Sequence, residues 1–287
     1  MFAVISLHAQ EFTHIRTIHI DTSLQAEVKS PAALTVQPSE FIYVLDRGIH
    51  RIIKFNMAGQ ALEFRGRFGW KPQEFDSPAD LVLAQNLDLY VADYNNSRIQ
   101  HFDREMNFIR TIPLEFSSLE STPYPKSLDQ SAGGWLYVLD NEGAQILQLR
   151  PDGTLSKVFG SFTDLGTELE GGVKLRVDRA DNVWVLAANP SRLYRFDRFG
   201  TLRDQFRYEN YPDFISFTIA GREIILLSST GMIYRMTSRG QLESVELIGP
   251  GLEGSPVELT AGGYQLYLLR ETPLSISAYR IPSPQEK

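Results

Sequence analysis

The stretch Tyr90-Val-Ala-Asp-Tyr-Asn-Asn-Ser-Arg-Ile-Gln-His-Phe-Asp103 holds the reading of the fold. Its first part is a short apolar run closed by Asp93. Asn95-Asn96-Ser97 follows, a composition that favours a tight turn because Asn and Ser side chains bond nearby backbone. Arg98 to Phe102 is then a second β-prone run. The first run is apolar at successive positions rather than alternate ones, the pattern of a strand covered on both faces.

The same frame recurs along the chain. Tyr43-Val-Leu-Asp46, Tyr90-Val-Ala-Asp93, Tyr137-Val-Leu-Asp140 and Trp184-Val-Leu-Ala187 begin 47 residues apart. Ile225-Leu-Leu-Ser228 and Tyr267-Leu-Leu-Arg270 are degenerate copies and bring the number to six. Each is followed by a second run, then a turn such as Asp152-Gly153, then a third run such as Phe108-Ile-Arg-Thr-Ile112. A further strand opens each unit, marked by Pro31, Pro78, Pro125, Pro212 and Pro256, with Val173 standing in once. Proline at the first residue of a strand costs no ladder bond. Four short strands repeating every 40–47 residues or so predict an all-β fold, a six-bladed β-propeller of four-stranded antiparallel blades. One such unit has too little surface to bury both faces of its strands, whereas a ring of them covers every face.

The last unit supplies three strands, ending near Ile281. At the other end, His14-Ile-Arg-Thr-Ile18 repeats the pattern of Phe108-Ile-Arg-Thr-Ile112. Residues 11–20 are therefore expected to complete the last blade, which removes two exposed strand edges. Residues 11–287 then form a single propeller domain.

The Tyr90–Asp103 stretch resembles an NHL repeat, with its aliphatic-Asp strand end, Asn-containing turn, Arg-Ile and aromatic-Asp. Arg67-Phe-Gly-Trp70 and Glu74-Phe-Asp-Ser-Pro78 are similar to that family's inter-repeat loop. The pattern fades along the chain: Gln145 replaces the Arg in the third unit and Ala187 the Asp in the fourth. The resemblance implies a β-propeller but leaves function open, because one fold carries many activities.

Composition narrows the function classes. The 287 residues carry a net charge of −7 and a sequence pI of about 5.3, without the surplus of Lys and Arg that sequence-independent nucleic-acid binding needs. No nucleic-acid partner is expected. The absence of cysteine excludes disulfides, thiolate metal sites and cysteine nucleophiles. No apolar run reaches the length of a membrane span. Phe2 to Leu7 followed by His8-Ala9-Gln10 reads as the remnant of an export signal over residues 1–10, so a periplasmic or secreted location is expected, with a cytoplasmic one as the alternative.

Candidate chemistry is sparse. Gly249-Pro-Gly251-Leu-Glu-Gly254 fits a dinucleotide-binding pattern, but Pro256 and a β-prone run follow where that motif needs a helix, so it reads as a loop. Asp46 with Arg51, and Asp93 with Arg98, share one spacing and read as structural ion pairs. The five histidines His8, His14, His19, His50 and His101 do not cluster in the repeat frame. No catalytic residue, metal site or cofactor is expected. Around the strand starts, Asp80, Lys126, Lys174, Asp213 and Glu258 form a candidate ligand-binding set at the channel mouth, the alternative being solvated charges at a water-filled pore. Among the aromatic-rich loops, Trp70 flanked by Arg67 and Lys71 is the candidate partner-binding element.

These readings favour a non-catalytic binding or scaffold propeller that engages a protein, or a ligand, through its loop face. The alternative is a propeller enzyme of the metal-dependent lactonase or lyase type with a site at the central channel. The resemblance implies His, Asn, Asp or Glu ligands there, and this sequence has neither Asn at the strand starts nor a His cluster. RNA binding, known for some NHL domains, relies on a basic face and sits poorly with the acidic balance.

Overall fold

The apolar runs become strands in the computed structural model, which describes residues 10–20, 28–161, 169, 171–188, 190–249 and 253–282. The leader-like residues 1–9, most of loop 159–172 and the centre of the Gly249–Gly254 loop lie outside the described residues.

After β1 (Gln10–His19), the strands group as the repeat demands. The first unit is β2 (Pro31–Gln37), β3 (Phe41–Asp46), β4 (Arg51–Asn56) and β5 (Ala61–Arg65). The second is β6 (Pro78–Leu83), β7 (Leu89–Asp93), β8 (Arg98–Phe102) and β9 (Phe108–Pro113). The third is β10 (Pro125–Gln130), β11 (Leu136–Asp140), β12 (Gln145–Leu149) and β13 (Leu155–Phe159). The fourth is β14 (Gly172–Val177), β15 (Val183–Ala187), β16 (Arg192–Phe196) and β17 (Leu202–Arg207). Then come β18 (Phe214–Ala220), β19 (Glu223–Ser228), β20 (Ile233–Met236) and β21 (Leu242–Ile248), followed by β22 (Ser255–Gly262), β23 (Gln265–Glu271) and β24 (Ser275–Arg280).

The first four units are separate four-stranded antiparallel sheets, and the remaining strands form one eight-stranded sheet in the order β18-β19-β20-β21-β1-β24-β23-β22. Its two halves meet at β1. That strand pairs antiparallel with β24 from Thr13↔Arg280 to His19↔Ser275, in the place where a fourth strand was missing from the sequence of the last unit. Its N-terminal end also runs parallel to β21, from Gln10↔Val245 to Thr13↔Ile248, a junction that the repeat does not announce. The opening strands β2, β6, β10, β14, β18 and β22 each pack on the next, and β22 packs back on β2, which closes a ring.

The core lies between sheets rather than within them. One cluster joins Tyr43, Leu45 and Ile52 of the first unit to Leu81, Val91 and Phe102 of the second. Another joins Tyr137 and Ile146 of the third to Val185 and Phe196 of the fourth. Ile18 of β1 packs with Leu269 and Ile276 against Leu34, Val44 and Ile53 of the first unit. Every residue of β7, β11 and β15 is buried, whereas β5 alternates half-buried and exposed positions as an outer strand with one wet face. Burying each Val, Leu, Ile or Phe contributes about 1.5–3 kcal/mol, so the stability of each unit depends on its neighbours.

One irregularity recurs in all six opening strands. The register against the second strand slips between Pro31/Ala33, Pro78/Asp80, Pro125/Ser127, Gly172/Lys174, Phe214/Ser216 and Pro256/Glu258. A bulge of this kind re-aims the side chains that follow it.

Candidate functional site

The residues just past the six bulges are Ala33, Asp80, Ser127, Lys174, Ser216 and Glu258, and all are buried. They recur every 47 residues as far as Lys174 and every 42 after it, so they occupy one level of the ring of opening strands. Charged side chains alternate with small ones around that level. The small ones leave room for the long ones to meet.

Lys174 is where they meet. Its ammonium donates to Asp80 Oδ1 at 2.9 Å and to Glu258 Oε2. Ser127 Oγ donates to Asp80 Oδ2 and Ser216 Oγ to Glu258 Oε1. Backbone N–H groups of Leu81 and Leu128 add bonds to Asp80 at 2.9 and 3.2 Å, and that of Leu259 adds one to Glu258 at 3.0 Å. Two residues further along β14, Arg176 Nη1 reaches Asp80 Oδ2 at 3.3 Å. Near it, Asp129 of β10 accepts from the Val177 and Gln130 N–H groups, each at 2.8 Å.

The electrostatics follow from this enclosure. Burial acts to raise the Asp80 pKa, but the Lys174 ammonium and Arg176 guanidinium outweigh it and hold the carboxyl at about 2. Burial pushes the Asp129 carboxyl up instead, against the pull of Arg176. Burial pushes Lys126 down, reinforced by the positive charges of Arg47 and Lys174.

Of the five charges expected at the channel mouth, Asp80, Lys174 and Glu258 come together. Lys126 does not join them, because it is the extra residue of its bulge and Ser127 takes the ring position. Asp213 does not either: it is exposed ahead of β18, and Ser216 stands in the ring. The charges that do converge are buried and mutually bonded. Arg176, Ser127 and Ser216 were missed, although carrying the 47-residue spacing from Asp80 reaches Ser127 directly.

The second candidate is the loop before β6. Arg98, at the start of β8, donates through Nε to Asp93 Oδ2 at 2.7 Å. Its other nitrogens hold the carbonyls of Trp70 at 2.6 Å, Lys71 at 2.9 Å and Glu74 at 2.8 Å. Asn96 holds the Gly69 carbonyl at 2.9 Å, and Gln100 holds that of Glu74 at 2.6 Å while accepting from the Gln73 N–H at 2.7 Å. Arg67 is tied to Glu74 at 2.6 Å, and this bond holds the Glu74 carboxyl below its ordinary range. Gly66 lets the chain enter the loop: its φ is +108°, and a Cβ there would lie 2.5 Å from the Phe75 ring and 2.6 Å from the His50 carbonyl. The outcome is a braced backbone from which Trp70 and Phe68 project, 72% and 60% exposed, with Lys71 exposed beside them. Phe75 of the same loop is fully buried.

The ion pair expected at Asp46 and Arg51 is absent, although the two face each other across β3 and β4. Asp46 instead accepts from four backbone N–H groups, those of Lys29, Ser30, Gly48 and Ile49. In the third unit Gln145 donates to Asp140 at 3.0 Å in place of the arginine.

The closed ring of strands and the recurrent bulges define a β-propeller. A family model for the NHL repeat matches residues 75–102, the segment that carries Asp93, Arg98 and Gln100. No curated protein matches the chain at a significant level. Among solved structures, selenomethionine-substituted virginiamycin B lyase from Staphylococcus aureus is 12% identical with a TM-score of 0.64, the alignment covering 93% of this chain and 99% of that one. A streptogramin B lyase structure is 13% identical with a TM-score of 0.62, over 92% and 97% of the two chains. A structural genomics protein of unknown function from Bacteroides thetaiotaomicron VPI-5482 is 10% identical with a TM-score of 0.66, over 88% and 70%. At such identities the likeness is one of fold.

The metal implied by the lactonase and lyase resemblance does not fit these residues. Among the described residues no group of three or more His, Asp or Glu side chains is placed to hold a metal ion. The two carboxylates that do approach each other in the channel are bridged by Lys174.

Proposed function

We propose that the chain is a six-bladed, non-catalytic binding propeller that engages a protein partner through the rim around Trp70. The blades are counted as the four separate sheets, β18 to β21, and β22 to β24 completed by β1. The observation that carries the binding reading is the braced loop. Arg98, Asn96 and Gln100 fix its backbone, while the two largest apolar side chains near its tip stay in solvent. A fixed backbone under an exposed Trp lowers the ordering cost of association, and buried Trp residues are frequent binding hot spots.

The test is recovery of partners from the native host with the wild-type chain and with Trp70→Ala. Loss of a partner with an unchanged melt supports the reading, with an expected cost of about 2 kcal/mol or more for a hot spot. Equal recovery overturns it. The enzyme reading draws on the fold shared with virginiamycin B lyase along most of the chain. Turnover that depends on stoichiometric metal and is lost in Asp80→Ala would favour it over the scaffold.

A further inference from the structure

We propose that Lys174 is the channel's resident cation: its ammonium fills a seat framed by Asp80 and Glu258, and so keeps divalent metal ions out of the channel. This inference stands apart from the rim-loop reading, because it concerns the buried axis and not the loop face.

The seat is built from alternate strands of the ring. Asp80 comes from β6, Lys174 from β14 and Glu258 from β22, with Ala33, Ser127 and Ser216 on the strands between. Three long charged side chains therefore converge past three small residues. Every atom that Lys174 Nζ bonds is a carboxylate oxygen, Asp80 Oδ1 and Glu258 Oε2. The remaining oxygens of both carboxylates are tied back by Ser127 and Ser216, which fixes their orientation. Oriented carboxylate oxygens backed by hydroxyls are the donors that hard divalent cations take. Here the positive charge is supplied covalently, by a side chain that enters from the opposite strand.

The charge count makes the lysine indispensable in kind. Without it, Asp80, Glu258 and nearby Asp129 would be bonded by no cation but the Arg176 guanidinium on Asp80, with Lys126 acting on Asp80 from further off. Buried carboxylates stripped of a partner are strongly destabilising, so such a protein would need a replacement cation. Shortening Lys174 to serine also removes three methylenes and the ammonium, with a hydroxyl left in their place, and so opens space between the two carboxylates for an ion.

The experiment compares wild type, Lys174→Ser and Lys174→Ser/Glu258→Gln, each prepared in EDTA and in millimolar CaCl2, by thermal melting and by calorimetric titration with CaCl2. Wild type should show no saturable calcium binding and a melt indifferent to calcium. Lys174→Ser should bind one calcium ion per chain and gain about 5 °C or more in melting temperature when calcium is present. The double variant should lose that response. Stoichiometric calcium binding by the wild-type channel, abolished by Glu258→Gln, would overturn the proposal. So would a folded Lys174→Ser that ignores calcium, or a double variant that responds as the single one does. If Lys174→Ser does not fold in EDTA, refolding in CaCl2 should restore it, and failure in both conditions counts against the proposal.

Discussion

Arg98 and Asp93 face each other across the last rung of β7 and β8, and the guanidinium that pairs with Asp93 also holds three carbonyls of the loop before β6. One side chain thus joins two tasks, neutralising a buried carboxylate and shaping a surface loop. Asp93 needs that partner, because burial pushes its carboxyl up even with the bonds it receives from Asn96, the Asp76 N–H and Arg98.

Arg98→Ala is expected to cost about 3 kcal/mol or more, since it strands a buried charge and frees three carbonyls at once. Arg98→Lys should recover only part of this, because a point charge does not reproduce the planar fork. Urea melts give the cost. Trypsin at native conditions gives the local effect: cutting after Arg67, which Phe68 follows, should speed up in both variants. Unchanged cleavage in Arg98→Ala would show that the loop holds its shape without the arginine.

The channel network makes a prediction about acid. The folded-state pKa of Asp80, about 2, lies below the ordinary 3.8. A depressed carboxyl contributes stability that is fully present above the ordinary value and is lost as pH falls toward the folded one. Asp93 and Asp129 are shifted the other way, so their charged forms weigh against the fold at neutral pH and their protonation relieves it. Asp80→Asn should therefore destabilise the protein at pH 7, by about 2–3 kcal/mol, and the gap from wild type should shrink between about pH 4 and pH 2. Chemical denaturation across that range reads it directly. A gap that stays constant with pH would mean that Asp80 acts through packing and hydrogen bonds alone.

The repeat frame was legible because propeller strands buried on both faces read as continuous apolar runs, and Tyr43, Tyr90, Tyr137 and Trp184 keep an even spacing. β1 was legible for the same reason: its Ile15-Arg-Thr-Ile18 repeats the side-chain order of β9. The channel was legible only in part. A bulge inserts one residue without a mark in composition, so Lys126 looked equivalent to Lys174 while Ser127 held the position. Asp213 followed Pro212 as a strand start would, yet β18 begins at Phe214. Arg98 read as half of an ion pair, because a sequence gives the spacing between two charges but not the carbonyls that a guanidinium meets across a loop. Asp46 shows the converse, a matched spacing in which backbone N–H groups took the carboxylate instead.

The closing strand carries the last prediction. β1 lies between β21 and β24 in the sheet, so its removal opens the edges of both. Its side chains also enter two cores: Ile18 packs in the cluster shared with the first unit, and Phe12 in the cluster with Ile225, Leu268 and Tyr279. Ile18→Ala should cost about 2–5 kcal/mol and Phe12→Ala about 3–5, each through a cavity at a different interface. Deleting residues 10–19 should exceed either single loss and expose β24 to self-association. Adding a synthetic peptide of residues 10–20 to the truncated chain should then restore part of the lost melting temperature, because the pairing register with Arg280 to Ser275 is still encoded in β24. Scanning calorimetry of full chain, truncated chain and truncated chain with peptide decides the matter. Coincident melts of the full and truncated chains would show that the ring holds without β1.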